Sequence, residues 1–164
     1  MGRKAAIIVI AVFAFLVGGT LLSCASRTED TAEWYTQQCY RMCAQGYYDD
    51  AIKACTWAIK LDPNLCAAYR NRGWAYCRKG NLDLAIADCT KAIDLNPNEV
   101  IAYKNRAWAH CEKGHYNLAI ADCEKVIELS TDPGLSQEAR ETINEIRAYI
   151  LDKPRYTVSI ILLT

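Results

Sequence analysis

From residue 32 onward the chain repeats itself every 34 residues, and this period constrains its fold more than any other feature. Windows 32–65, 66–99 and 100–133 align without a gap; the second and third agree at 18 of 34 positions and the first and second at 13. A period of this length means that each unit is a supersecondary element unable to bury its apolar face alone, so neighbours must stack. In the second window Tyr69, Arg72, Gly73 and Tyr76 recur at helical spacing, Lys79-Gly80-Asn81 interrupts, and Leu82, Ala85, Ile86, Cys89, Ala92 and Ile93 resume the helical spacing. Each unit therefore reads as two amphipathic helices joined by a turn. Gly46, Gly80 and Gly114 occupy the same turn position, where a helix ending in a left-handed residue favours Gly. Pro63 and Pro97 are matching stops after the second helix, and the third window shifts its stop to Asp132-Pro133, two residues late.

These residues resemble the motif of the tetratricopeptide repeat family. Repeat position 4 is Tyr35, Tyr69 and Tyr103, the small position 8 is Cys39, Gly73 and Ala107, and Ala51, Ala85 and Ala119 stand at position 20. Departures are Val126 at position 27, Thr131 at position 32, and Cys55, Cys89 and Cys123 at position 24 where an aromatic is usual. The resemblance covers residues 32–133, about three fifths of the chain. It implies an all-α fold: three helix-turn-helix repeats forming a right-handed superhelical solenoid. Such an array needs a cap over its last apolar face. Residues 135–151 supply a capping helix, with Leu135, Ala139, Ile143, Ile146 and Ile150 on one stripe and Glu138, Glu141, Glu145 and Arg147 on the other. Seven helices are expected over residues 32–151. Residues 152–164 form a hydrophobic tail containing the uncharged, β-prone run Val158-Ser159-Ile160-Ile161-Leu162-Leu163, which either packs on the array, stays disordered or docks a partner.

The N-terminus differs in kind. Arg3 and Lys4 precede residues 5–22, which carry no charge, so residues 1–23 read as a signal peptide or a membrane anchor. Leu21-Leu22-Ser23-Cys24 resembles the lipobox of bacterial lipoproteins, which implies lipidation of Cys24 and cleavage before it; an uncleaved anchor and ordinary secretion remain open. Residues 24–31 would then be a short polar tether holding the domain at the membrane, in the cell envelope on the extracytoplasmic side.

Charge excludes one partner class. The chain has 19 basic and 19 acidic side chains, and 17 against 19 without residues 1–23, so no nucleic-acid partner is expected. There is no Gly-rich phosphate loop, no nucleophile elbow and no HExxH, and the two histidines are His110, at a buried bulky position, and His115, at a turn. The chain is not expected to be an enzyme or to hold a cofactor. Six of its nine cysteines fall at two repeat positions: Cys43, Cys77 and Cys111 at 12, and Cys55, Cys89 and Cys123 at 24. Duplication accounts for them, since a buried Cys is a small hydrophobe. Cys39/Cys43 and Cys111/His115 share helix faces but lack the paired short spacings of a metal site, so no metal is expected. In the first hairpin Cys39 and Cys55 stand roughly opposite each other, at the small-residue contact where the helices come closest. That pair either closes a disulfide or stays reduced, and Gly73 and Ala107 deny Cys89 and Cys123 the same partner.

The resemblance also implies a concave surface lined by the first helix of each repeat and faced by positions 2, 5, 9, 12 and 13. Position 9 is Tyr40, Trp74 and Trp108, position 5 includes Arg70 and Lys104, and position 6 includes Asn71 and Asn105. These seven residues are the candidate binding stripe for a protein or peptide partner: aromatics as anchors, cations for acidic or carbonyl groups, amides for the partner's backbone. Alternatively the aromatics pack between adjacent helices. The carboxylate clamp by which some members grip chaperone tails is not preserved, because Thr36, Tyr40, Ile101 and Asn105 depart from it and only Asn71 fits. The reading is thus a membrane-tethered adaptor or scaffold; the rival is a thiol-redox or metal-responsive protein using the repeated cysteines.

Overall fold

The computed structural model describes residues 31–152. Among these residues it is all helical: α1 (Ala32–Ala44), α2 (Tyr48–Leu61), α3 (Cys66–Arg78), α4 (Leu82–Leu95), α5 (Val100–Glu112), α6 (Tyr116–Leu129) and α7 (Pro133–Asp152). Helices pair as α1 with α2, α3 with α4 and α5 with α6, and α7 packs on α6. The first helices also touch each other, α1 with α3 and α3 with α5, with no comparable contact between α2 and α4 or α4 and α6. Closer approach on one side makes that side the inner one, so α1, α3 and α5 line the concave layer.

The chain chemistry sets each boundary. Thr31 caps α1 by accepting from the Trp34 N–H at 3.1 Å. Each hairpin turns through a Gly at positive φ, 84° at Gly46, 76° at Gly80 and 74° at Gly114. After α3 the N–H of Asn81 donates to Tyr76 O at 3.0 Å and that of Gly80 to Cys77 O at 3.0 Å, the paired bonds of a Schellman ending. Between repeats, Asp62 and Asn96 accept from the backbone two residues on, at 2.9 and 3.1 Å, and the intervening Pro63 or Pro97 cannot continue the helix.

Pro133 corrects the sequence reading. It is not the late stop of the third repeat but the first residue of α7, two residues before the expected start, with Asp132 Oδ1 accepting from the Gly134 N–H at 2.8 Å. Proline is favoured at a first helical position because its missing N–H is not needed there. The third repeat instead stops at Ser130, whose Oγ accepts from the Asp132 N–H at 3.1 Å. The buried stripe of α7 is Ser136, Ala139, Ile143 and Ile146, whereas Ile150, expected in it, is exposed with Tyr149 and Leu151.

The core is built of small side chains. Alanines and cysteines dominate it, and Val126, Cys39, Cys43, Cys55 and Cys89 are its largest fully buried residues. The reason is the approach of the two helices of a hairpin at positions 8 and 24. A Cβ placed on Gly73 would lie 2.8 Å from Cys89 Sγ. In the first repeat the same two positions carry a disulfide, Cys39–Cys55, with Cα atoms 5.4 Å apart. Joining residues 16 apart restricts the unfolded chain by about 3 kcal/mol in a loop-entropy account.

Repeats two and three are tied differently. Arg72 Nε and Nη2 donate to the two oxygens of the buried Asp88 at 2.7 and 2.8 Å, and Nη1 reaches Thr56 Oγ1 of the preceding repeat at 3.1 Å. One repeat later Arg106 does the same to Asp122 and Thr90, at 2.7 to 3.0 Å. Each arginine also lies against tyrosine, Arg72 over Tyr69 and Tyr76 and Arg106 over Tyr103. The bidentate geometry matches guanidinium to carboxylate, and losing the arginine would strand a buried charge at a cost of about 3 kcal/mol. At the hairpin turns Lys79 bonds Asp49 and Lys113 bonds Asp83, each joining one repeat to the previous one; both carboxyls are held below their ordinary range by that hydrogen bond and the lysine's charge.

The 2.8 Å separation at Gly73 is close to the Cβ-to-sulfur spacing across a disulfide, which gives two expected outcomes. Gly73→Cys, oxidised, should pair with Cys89, so a thiol titration in denaturant should find one free thiol fewer than in the parent although the variant has one cysteine more. Gly73→Ala should lower stability by about 1–3 kcal/mol in denaturant melts, because the added methyl has no room.

Candidate peptide groove

The inner layer brings the three position-9 aromatics into a row, one from each of α1, α3 and α5. Tyr40 and Trp108 are open to solvent, 51% and 44% exposed, and Trp74 lies between them, half-buried. Trp74 packs on the core cluster of the first hairpin and its ring centroid is 6.3 Å from that of Tyr40. Packing between helices therefore describes Trp74 and the side of Tyr40 that meets it in part, while Tyr40 and Trp108 keep much of their surface in solvent. A pocket of about 160 Å³ lies between Trp74 and Trp108, walled by Cys77, Arg78, Lys104 and Asn105. Trp108 also borders a second cavity, of about 430 Å³, on its C-terminal side.

The polar half of the stripe departs from expectation. Arg70 is not open to a ligand: its Nη1 pairs with Glu99 Oε1 at 3.1 Å and its Nε donates to Asn71 Oδ1 at 3.2 Å. Asn71 itself is 4% exposed, so it offers no amide to a passing chain. Lys104 does stand on the pocket wall, but its Nζ lies 2.7 Å from Glu138 Oε2 of the cap. Asn105 reaches the wall, so the expected ladder of one amide per repeat reduces to one amide. Sequence reasoning missed Glu99 and Glu138, which lie 29 and 34 residues from the cations they neutralise. It also passed over Arg78 on the wall, although position 13 was among those expected to face the groove.

The free thiols are structural in their surroundings. Cys43 Sγ donates to Asn71 O at 3.8 Å and Cys77 Sγ to Asn105 O at 3.5 Å, so these two position-12 cysteines bond weakly across to the first helix of the next repeat. Burial pushes Cys43 and Cys123 up to about 11 and Cys77 up to about 12, and Cys89 and Cys111 are raised for the same reason. Cys66, raised to about 11 by burial and by Glu99, donates to Ala92 O at 3.3 Å. Such groups stay protonated at neutral pH and are poor nucleophiles. Among the described residues no group of three or more His, Cys, Asp or Glu is placed to hold a metal ion. Cys24 lies outside the described residues.

Family models described as tetratricopeptide repeat match residues 66–99 and 89–121. Residues 66–121 are thus similar to tetratricopeptide repeats. No curated protein matches the chain as a whole or in part. Solved tetratricopeptide domains do. The first TPR domain of human RPAP3 is 28% identical, covers 76% of this chain and 98% of its own length, and has a TM-score of 0.68. The TPR2B domain of yeast Sti1, solved as a pHsp70 complex, is 26% identical over 72% of this chain and 97% of its own, with a TM-score of 0.68. The second TPR domain of human RPAP3, solved with the HSP70 peptide SGPTIEEVD, is 27% identical over 71% and 94%, with a TM-score of 0.64. The tetratricopeptide fold of this chain is thus shared with domains solved holding peptides.

His110 gives the groove's supporting layer a pH dependence. It is buried, as expected, yet its Nδ1 has no hydrogen-bond partner, so it is not a fully satisfied core histidine. Its ring lies 5.7 Å from that of His115, the side-chain contact that accompanies the Schellman turn after α5. Burial lowers its pKa, with Arg106, His115 and Lys113 acting in the same sense and Asp122 opposing. A histidine whose folded pKa is depressed contributes full stability above the unfolded value, about 6.5, and costs stability as pH falls below it, because the unfolded chain takes up the proton first. His110→Tyr, which installs the residue of the same position in the second repeat, should therefore lose less stability than the parent between about pH 7.5 and pH 5.5 in thermal melts.

Proposed function

We propose that this chain is a membrane-tethered tetratricopeptide adaptor that holds a protein or peptide partner in its concave groove, with no catalytic activity of its own. The observation that carries the reading is Trp108, a large apolar side chain 44% exposed between two pockets. Water contact at such a position is unfavourable unless a ligand covers it, and tryptophan is the residue most enriched at binding anchors. The solved relatives that hold peptides support a partner of the same general kind. Its details would differ. The clamp residues are replaced at Thr36, Tyr40, Ile101 and Asn105, and Asn71, the one that fits, is buried. Arg70 and Lys104 are paired internally with Glu99 and Glu138, so the preference for acidic groups rests on Arg78 beside the pocket. The partner's binding segment would then present an apolar side chain to the space between Trp74 and Trp108, with an acceptor group next to it.

Tethering rests on residues 1–24 and on the chemistry of the first repeat. The Cys39–Cys55 disulfide suits an oxidising compartment outside the cytoplasm. Trp34, Tyr35 and Trp57 form a ring cluster with Lys60 over Trp57, the mixture of aromatic and cation favoured at a bilayer interface, and a tether of eight residues would keep it there. The thiol-redox rival requires exposed, acidic thiols, and the free cysteines described are raised by burial.

Two measurements test this. Trp108→Ala should weaken capture of the partner identified by affinity pull-down by about 2 kcal/mol or more, with little change in thermal stability; a sharp drop in melting temperature with capture intact would make Trp108 a core residue. Cys24→Ala should leave an unlipidated, unprocessed precursor, and intact-mass analysis finding an unmodified Cys24 in the membrane-bound native protein would refute lipidation.

A further inference from the structure

Arg70 and Lys104 stand at the same repeat position and each faces a carboxylate of the chain itself, yet the two pairs differ in depth. The side chains of Arg70 and Glu99 are 26% and 15% exposed, and Arg70 Nε also donates to the buried Asn71, so that pair is fixed by its surroundings. Those of Lys104 and Glu138 are 40% and 55% exposed, and a single hydrogen bond of 2.7 Å joins them. An ion pair so open to water holds weakly, because solvent screens it and both side chains regain freedom when it parts.

Lys104 is also a boundary. It lines the pocket between Trp74 and Trp108 and, on its other side, the cavity under the cap where Glu138 stands. Its ammonium is a compact charge on a flexible four-carbon stem, so it can turn from one space to the other while α5 stays in place. The cap does not depend on the pair, since Ser136, Ala139, Ile143 and Ile146 bury the inner face of α7.

We propose that Glu138 is a built-in competitor for the groove's ligand. Its carboxylate holds Lys104 while the groove is empty, and a carboxylate of the partner takes its place when the neighbouring apolar side chain fills the pocket between Trp74 and Trp108. The inference rests on the groove reading and adds to it a specificity-determining residue on the cap, one that acts through Lys104. For an acid alone the exchange gains little, because one exposed ion pair replaces another of the same kind. Apolar burial against the tryptophans tips the exchange, so Lys104 is released to an acid that arrives with an apolar neighbour and withheld from acids in general. Arg78 on the same wall lies over the Tyr48 ring and has no carboxylate partner among the described residues, so the groove holds one standing cation and one guarded one.

The test pans a random nonapeptide phage library on the full chain in detergent micelles. Each selected acidic peptide is then synthesised beside its amide counterpart, Asp to Asn or Glu to Gln, and the ratio of the two affinities is read by fluorescence polarisation. Glu138→Gln should raise the preference for acid over amide about threefold to fivefold at low salt, an advantage that shrinks as salt is added. Lys104→Met should lower the preference below that of the parent, and adding Glu138→Gln to it should change nothing further. The exchanged pair Lys104→Glu/Glu138→Lys restores the link between α5 and α7, so a merely structural Glu138 would return the parent's ratio, whereas a competitor leaves the amide peptide favoured. Equal ratios for the parent and Glu138→Gln overturn the inference and leave the groove reading standing, as do selected peptides that lack an acid beside an apolar residue. A library that yields no binder sensitive to Trp108→Ala overturns the groove reading and this inference with it.

Discussion

The whole array depends on how closely two helices approach at repeat positions 8 and 24. Where Gly73 faces Cys89 there is no room for a methyl group, and where Cys39 faces Cys55 the space is filled by a bond between them. Helices this close bury little area per residue with large side chains, so the interior is made of alanine and cysteine. This explains the cysteine at position 24 where an aromatic is usual. A ring there would force the hairpin apart, whereas a thiol is small, apolar and indifferent to the lack of a partner. The abundance of cysteine follows from helix spacing, and the raised thiols follow from the same burial.

A core so thin leaves polar contacts to fix the register between helices. Arg72 and Arg106 do this by clamping an aspartate within their own repeat while touching a threonine of the one before. Because all three nitrogens of the fork are engaged, two on the aspartate and one on the threonine, the arrangement fixes the rotation of the helix pair. The same economy reaches the groove. Arg70 and Lys104 are spent on Glu99 and Glu138, which order the loop before α5 and dock the cap, so the concave face is less basic than its composition suggests.

Much of this was legible in the sequence because periodicity is a local signal repeated three times. The hairpins, the turn glycines, the seven helices and the opposition of Cys39 and Cys55 all follow from counting positions. What escaped was set by single contacts. Pro133 reads equally well as a stop and as a first helical residue, and the Asp132 cap decides between them. Ser136 lies on the buried face of α7 in place of Ile150, since starting the helix earlier says nothing of how a polar residue will be shielded. Asn71 looked available because position 6 borders the groove, but its fate was fixed by an arginine one residue away and a glutamate nearly a repeat later. Exposure of Trp108 against the half-burial of Trp74 depends on Trp74 having the first hairpin to lean on.

The first repeat carries neither member of the arginine clamp: Gln38 and Ala54 stand where Arg72 and Asp88 stand in the second. Its two helices are held instead by the single covalent link between Cys39 and Cys55. Cohesion along the solenoid is therefore of two kinds, one indifferent to redox conditions and one governed by them. In a reducing environment the array would fray from its amino-terminal end, opening at α1 and α2 while the clamped repeats and the cap held, and the opening would begin beside Tyr40 and expose the buried side of Trp74.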